Sequence, residues 1–176
     1  MATHSTPAPR RRPPPDYGMV RPKRSVWSGV LIGVGIAAFV DETVFHQLLH
    51  WHHFYDKSTP GAGLVSDGLF HAFGWLAVVT GLMLVADLRR RGALSGVGLT
   101  GGILLGAGFF QLYDGTVQHK LLKLHQIRYH VDLVPYDWTW NVLAVILLAV
   151  GAVLVRRSST REAPGTEAAE GLEPRR

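Results

Sequence analysis

The sequence has no cysteine anywhere in its 176 residues. Disulfide bonds, thiolate metal sites and cysteine catalysis are therefore excluded. Charge is also scarce, because charged residues make up 18% of the chain, against ~25% in an average soluble domain. The middle of the chain is nearly bare of charge, which excludes an ordinary soluble globule and a disordered chain. A nucleotide-binding loop, a recognisable nucleophile–base pair and a haem-attachment motif are missing too, so the sequence indicates no particular reaction.

What the chain does contain is four apolar stretches. They run from Val26 to about Leu49, from about Leu69 to Leu88, from about Ala93 to Leu122 and from about Trp138 to Val155. Each reaches the ~20 residues that span a ~30 Å hydrocarbon core. Residues 29–40 and 142–150 are apolar on all sides, whereas the helices of a soluble bundle need a polar outer face. The sequence predicts an all-α integral membrane four-helix bundle, with residues 25–156 as the four-span domain.

The two ends of the chain and the distribution of basic residues predict the orientation. Residues 1–24 are rich in Pro and Arg and residues 157–176 are polar, so both segments are expected to be disordered tails. The N-terminal tail, Arg89–Arg91 and Arg156 with Arg157 fall on one side of the predicted spans. Basic residues mark the cytoplasmic side. We therefore expect a multi-pass protein of the bacterial cytoplasmic membrane with both termini in the cytoplasm.

The distribution of basic residues also indicates which partners to expect. The basic residues cluster at the ends of apolar runs, where they set topology, and no nucleic-acid-binding signature accompanies them. Lipid is therefore the expected surrounding and nucleic acid is not an expected partner. Four spans also leave room for a homo-oligomer or a larger membrane complex.

The third apolar stretch repeats the first. The segment from Asp41 to His52 matches the segment from Asp114 to His125 at a constant offset of 73 residues. The second and fourth stretches match more weakly, at an offset of 70: Asp67 and His71 parallel Asp137 and Asn141. The pattern predicts two duplicated helical hairpins in parallel orientation, repeat 1 at about 26–88 and repeat 2 at about 93–156.

Glycines take part in the same repeat. Gly29, Gly33 and Gly35 match Gly102, Gly106 and Gly108, again at the offset of 73. Small residues four positions apart let two helix backbones approach closely. We therefore expect Gly29 with Gly33, and Gly102 with Gly106, to pack the two repeats, or two subunits, against each other.

Ionisable residues from the spans gather towards the outer membrane face. Eight of the nine histidines lie between His46 and His130. An Asp in mid-membrane costs roughly 2.5–3.5 kcal/mol on insertion scales, so such residues face the bundle interior and pair there. His46, His50 and His53 are spaced to share one helix face. Imidazole suits copper, zinc, iron and nickel, and a carboxylate completes the shell or orients a ligating histidine.

The sequence therefore predicts a His/Asp transition-metal site near the outer face, with copper ahead of zinc or iron. The candidate residues are His46, His50, His53, Asp67, His71, His119, Asp41 and Asp114. Of these, His46, His50, His71 and His119 are the leading ligands, and the three aspartates are ligands or supports. A single interfacial histidine usually snorkels or forms a hydrogen bond, which is the expectation for His52, His125 and His130.

Other functions remain open for these Asp and His residues, which we call the polar layer. Opposed imidazoles can hold a haem, and intramembrane Asp41 and Asp114 suit a proton- or metal-ion path of a transporter or channel. The layer can also be a purely structural hydrogen-bond network. A further alternative is a structural subunit of a larger membrane oxidase complex. Whether the chain is an enzyme is not decided by its residues.

Three segments resemble a small bacterial four-helix membrane family that is catalogued as a domain of unknown function. They are residues 40–53, Ser66-Asp67-Gly68-Leu69-Phe70-His71 and the stretch from Asp114 to His119. The resemblance covers roughly residues 26–155 and implies a membrane fold without a specific reaction. Relatives commonly have Asp-Gly where this chain has Asp41-Glu42. The spacing from Asp67 to His71 is also locally similar to a metal motif in the C subunit of particulate methane and ammonia monooxygenases, which favours copper.

Overall fold

The computed structural model describes residues 20–160, and this range contains four long helices and no strand. The helices are α1 (Pro22–Asp41), α2 (Pro60–Arg90), α3 (Gly96–Tyr113) and α4 (Val134–Thr160). Helices α1 and α3 each continue into a π-helix, π1 (Glu42–Leu48) and π2 (Asp114–Leu121). All four predicted spans are confirmed, because each helix is long and apolar enough to cross a membrane.

The helix ends differ somewhat from the predicted boundaries. Most of the tails predicted at 1–24 and 157–176 lies outside the described residues, whereas α1 already begins at Pro22 and α4 continues to Thr160. Helix α2 begins at Pro60 rather than about Leu69. The reason is local, since the Thr59 side chain accepts a hydrogen bond from the backbone of Ala62 and Pro60 occupies the first turn. Such a cap followed by proline is a typical helix start.

The centre of the bundle is the contact between α1 and α3. A Cβ atom placed on Gly33 would collide with the carbonyl oxygen of Ile103, and one placed on Gly106 would collide with that of Val30. Only glycine lets the two backbones come this close. The prediction that these glycines pack the helices is confirmed, and the partner helix belongs to the same chain.

The outer helices pack in the same way, each on one central helix. Helix α2 lies against α1, where a Cβ on Gly35 would lie 2.6 Å from the carbonyl oxygen of Gly74. Helix α4 lies against α3, where a Cβ on Gly108 would lie 2.9 Å from the carbonyl oxygen of Ala144. The lipid-facing sides of both outer helices carry large exposed apolar side chains, including Leu76 and Val145.

The two ends of the bundle have different chemistry. At the end where α1 and α3 begin, which we call the basic end, the N–H of Arg21 donates to the carbonyl oxygen of Ala93 at 2.9 Å. The N–H of Ser95 donates to the hydroxyl of Ser25 at 2.9 Å. The opposite end, which we call the histidine end, contains the π-helices and the two loops 49–59 and 122–133.

Both π-helices end in the same unusual turn. The N–H of Leu49 bonds to the carbonyl oxygen of Val44 at 2.9 Å, and the N–H of Leu122 bonds to that of Val117 at 2.7 Å. After these wide turns the backbone becomes left-handed, with φ of 51° at both His50 and Lys123. Each pair of residues is separated by 73 positions. The turn directs the following loop back over the end of the bundle.

Candidate metal centre

The two loops at the histidine end hold each other through histidine side chains. The Nδ1 atom of His52 lies 3.0 Å from the carbonyl oxygen of Ile127, in the other loop. The Nδ1 atom of His125 lies 2.9 Å from the carbonyl oxygen of Phe54. A carbonyl oxygen only accepts, so each Nδ1 carries the proton and donates it. The neutral ring then has its lone pair on Nε2, the arrangement that orients a metal-binding histidine.

Four histidine rings meet beneath these loops. The rings of His52 and His125 stack with centroids 4.5 Å apart, His46 lies 4.5 Å from His52, and His119 lies 4.7 Å from His125. All four residues are buried. Within residues 20–160, none of their Nε2 atoms makes a hydrogen bond, and Nδ1 of His119 makes none either. A buried polar atom without a partner is rare in a folded protein and calls for an explanation.

Two buried carboxylates face these rings. Oδ2 of Asp41 lies 3.5 Å from Nε2 of His46. Oδ2 of Asp114 lies 3.1 Å from Nε2 of His119, and its Oδ1 lies 3.5 Å from Nε2 of His125. Asp41 is the last residue of α1 and Asp114 is the first residue of π2, and both side chains are buried.

Three groups of three residues have the geometry to hold a metal ion. They are His52, His119 and His125; Asp41, His46 and His52; and Glu42, His46 and Asp67. The three groups contain seven different residues, all of them buried, and within each group the ligand atoms lie within 4.8 Å of one another. An ion at ~2.1 Å from each imidazole nitrogen keeps the nitrogens within ~4 Å of one another. Side-chain adjustments of less than about one ångström therefore suffice for binding.

The buried loop histidine His52 is uncharged at physiological pH. Burial, and to a smaller extent the nearby rings of His125, His46 and His119, lower the pKa of His52 to about 2. The aspartate Asp114 opposes this effect only in part. Because the ring stays uncharged over the physiological range, it is suited to bind a cation through Nε2.

The structure brings together most of the residues predicted from the sequence. His46, His119, Asp41, Asp114 and Asp67 lie in the buried layer. At its edge, Nδ1 of the half-buried His53 lies 2.6 Å from Oδ2 of Asp67.

His50 and His71 lie elsewhere. His50 is exposed in the left-handed turn, and His71 contacts Phe39 at a centroid distance of 5.4 Å. The expectation that His46, His50 and His53 share one helix face is wrong, because the helix ends at Leu48. As metal ligands, His50 and His71 stay a prediction.

Sequence reasoning left His52 and His125 off the list of candidate ligands, yet both rings lie in the buried histidine cluster. The signal was present in the repeat, because these two histidines match at the offset of 73 residues. Glu42 was not a candidate either, although it is 1% exposed and faces His46. His130, the third histidine set aside, is exposed in a left-handed turn beside Tyr129.

One comparison with known proteins gives a match. A family model described as "Predicted membrane protein (DUF2243)" matches residues 28–158, which include both loops, α2 and α3, and most of α1 and α4. No curated protein and no solved structure matches the chain. Any account of its chemistry therefore depends on the arrangement of its own residues.

Proposed function

This chain belongs to the predicted membrane protein family DUF2243, and we propose that it binds a transition metal ion in the buried layer at its histidine end. The central ligands are Nε2 of His52, His119 and His125. Asp114 completes this set, because its two carboxylate oxygens face His119 and His125. On the other side of the stacked rings, His46 and Asp41 offer equivalent groups.

The observation that carries the proposal is the crossed pair of loop histidines. The rings of His52 and His125 each donate their one N–H to a backbone carbonyl of the other loop. The Nε2 atom of each ring is therefore an acceptor, and no donor faces it. Leaving such buried nitrogens without a partner costs about 1–3 kcal/mol each. A bound cation supplies the missing partner for all of them together.

We propose copper as the metal, ahead of zinc and iron. For a given set of nitrogen and oxygen ligands, Cu²⁺ has the highest affinity among the divalent first-row ions. The set here is rich in imidazole and has no sulfur, since the chain lacks cysteine and the central triad is made of histidines. With these ligands the protein would serve as a metal-handling factor or as a redox subunit of a larger membrane complex.

The geometry favours this function over haem binding and over transport. A haem held by two axial imidazoles lies between their rings, but His52 and His125 stack directly on each other at 4.5 Å. A path through the bundle would run between α1 and α3. There the glycine contacts, such as Gly33 on Ile103, bring the two backbones together on the side towards the basic end. A resident ion fits this closed arrangement better than a moving one.

The proposal includes the placement of the site. Arg89–Arg91 mark the basic end as the cytoplasmic side, so the metal layer lies towards the outer face of the bacterial cytoplasmic membrane. We also propose that the two hairpins are duplicated, because the contacts of His52 and His125 recur at the offset of 73. The wide π turns recur at the same offset.

The test is multi-element analysis of detergent-purified protein, together with optical and electron paramagnetic resonance spectra. The variants are His52→Ala and His125→Ala, and the matched controls are His50→Ala and His71→Ala, whose side chains lie outside the three ligand groups. The wild-type protein and both controls are expected to contain at least one equivalent of metal. His52→Ala and His125→Ala are expected to lose the central ion.

Three results would count against the proposal. Full metal content in both His52→Ala and His125→Ala would overturn the central ligand set. Loss of metal in His50→Ala or His71→Ala alone would instead support the ligands that the helical spacing predicted. A wild-type protein that takes up no ion after reloading would overturn metal binding altogether.

A further inference from the structure

A second group of ligand atoms lies on the far side of His46 from the stacked rings. Oε2 of Glu42 lies 2.8 Å from Nδ1 of His46, and Oδ1 of Asp67 lies 3.2 Å from the same nitrogen. Glu42 and Asp67 are each 1% exposed. Two carboxylates thus converge on one imidazole nitrogen in the interior of a membrane protein.

This nitrogen cannot satisfy both carboxylates. Nδ1 of His46 carries at most one proton, and its hydrogen-bond partner is Asp67. Oε2 of Glu42 is buried and accepts no hydrogen bond, while Oε1 of the same residue accepts from the side chain of Gln47 at 2.7 Å. The glutamate is therefore held in place by one oxygen and presents the other, unpartnered, to the space beside His46 and Asp67.

Asp67 is positioned just as firmly. Its Oδ1 accepts from the backbone N–H of Phe54 at 2.7 Å, and its Oδ2 lies 2.6 Å from Nδ1 of His53. The side chain of His53 is 31% exposed, so it lies between the buried carboxylates and the outer surface.

The number of buried carboxyl groups in the layer leaves room for a second cation. Four buried carboxyl groups lie within it, those of Asp41, Glu42, Asp67 and Asp114. Their ion-pair contacts within residues 20–160 are with histidine rings. A buried carboxylate needs a cation or a proton to offset the loss of its hydration. One divalent ion at the centre balances two such charges at most.

We propose that Glu42, Asp67 and Nδ1 of His46 form a second metal site, the outer site, which takes a divalent cation with a preference for oxygen ligands, Mn²⁺ or Fe²⁺. Carboxylate oxygens suit Mn²⁺ and imidazole suits Fe²⁺, so two carboxylates and one imidazole offer these ions the ligand types they prefer. The inference rests on the proposed function, because it adds a second ion to the same layer. His46 then serves the outer site through Nδ1, and its Nε2 faces Asp41.

The outer site exists in one half of the chain only. The position 73 residues after Glu42 is Gly115, where a Cβ would lie 2.7 Å from the ring of Trp140, so a glutamate has no room there. The position that parallels Asp67 is Asp137, and its carboxylate forms an ion pair with Lys120. The two ions are therefore bound by different ligand types, which makes them separable by experiment.

The test uses Mn²⁺ as the probe of the outer site on full-length protein already loaded with copper. Binding is followed through the loss of the free Mn²⁺ paramagnetic resonance signal, and copper content is measured on the same samples. The variants are Glu42→Gln, which keeps the size of the side chain, and Asp67→Asn. The matched control is Asp137→Asn, at the parallel position in the other half.

Wild-type protein is expected to hold copper and to bind one Mn²⁺ in addition. Glu42→Gln and Asp67→Asn are expected to keep copper, which also reports that they are folded, and to lose Mn²⁺ affinity by about 10–100-fold. Asp137→Asn is expected to bind both ions. Mn²⁺ binding by Glu42→Gln at wild-type affinity would overturn the outer site, as would copper-loaded wild type that binds no Mn²⁺. Protein that binds neither ion would overturn the proposed function itself.

Discussion

The imidazole rings of His52 and His125 stack with centroids 4.5 Å apart and planes inclined by only 7°. Two charged imidazoles would repel each other at this distance, so the stacked arrangement favours neutral rings. The low pKa of His52, about 2, agrees with this arrangement. The metal centre proposed above therefore starts from ligands that need no deprotonation before they bind.

The first prediction concerns the carboxylate of Asp114. Replacement by asparagine, Asp114→Asn, removes the charge that faces Nε2 of His119 and His125. Metal affinity is expected to fall by about 10–100-fold, the usual effect of losing a carboxylate that supports ligating histidines. Competition with a chelator of known affinity measures the change. The control is Asp132→Asn, which alters an exposed carboxylate in loop 122–133, and equal losses in both variants would contradict the prediction.

The second prediction concerns the contact between α1 and α3. In Gly33→Ala the new methyl group collides with the carbonyl oxygen of Ile103, so the helices must separate, at a cost of about 1–3 kcal/mol. Thermal unfolding in detergent is expected to shift to lower temperature. Gly68→Ala is the control, because a Cβ there has no heavy atom within 4 Å. A Gly33→Ala protein as stable as Gly68→Ala would mean that α1 and α3 do not touch in the membrane.

The third prediction concerns orientation. The chain has no cysteine, so a single introduced one can be labelled without background. Ser58→Cys lies in the exposed part of loop 49–59, and Gly96→Cys lies at the basic end where a Cβ meets open space. A membrane-impermeant maleimide is expected to label Ser58→Cys in intact cells and Gly96→Cys only after the membrane is opened. The reverse pattern would place the metal layer on the cytoplasmic side.

The fourth prediction concerns pH. Burial raises the pKa of the Tyr129 phenol to about 12, and the nearby Asp56 carboxylate adds to the shift. A phenol whose pKa is raised by folding stabilises the fold fully below the unfolded value of ~10. That contribution is lost as the pH rises towards 12.

Ultraviolet titration of wild type and Tyr129→Phe measures this shift. The difference between the two curves is expected to show one phenol that ionises near pH 12. Asp56→Asn is expected to bring that step closer to pH ~10, because the opposing charge is gone. A difference curve centred near pH ~10 for the wild-type protein would show that Tyr129 is not shielded.

Hydropathy and topology made the membrane fold and the position of the polar layer predictable. Four apolar runs of sufficient length gave the four spans, and Asp41 and Asp114 fell at the same depth because the runs alternate in direction. Which residues belong to the site was harder to predict from the sequence. The spacing of His46 and His50 fits an α-helix, whereas the chain forms wide i→i−5 turns there and leaves the helix at Leu48. No residue pattern marks such a turn in advance.

The repeat contained information that spacing within one helix did not. A histidine that matches another histidine 73 residues away, as His52 matches His125, has a counterpart in the other half. In the structure His52 and His125 each form a hydrogen bond with the backbone of the other loop. The position 73 residues after Glu42 is Gly115, so the repeat did not indicate Glu42 as a site residue. Only its contact with His46 in the structure does so.

The crossed bonds of the loops have a consequence for how quickly a central ion can exchange. Loop 49–59 is held by the backbone of its neighbour, and loop 122–133 is held in return. Neither loop can lift away without breaking both bonds, so opening is a single concerted event rather than two independent ones. An ion bound beneath them is expected to leave no faster than that event. A chelator that binds more tightly would then remove the central metal only as fast as the two loops open, so competition has to be followed to equilibrium.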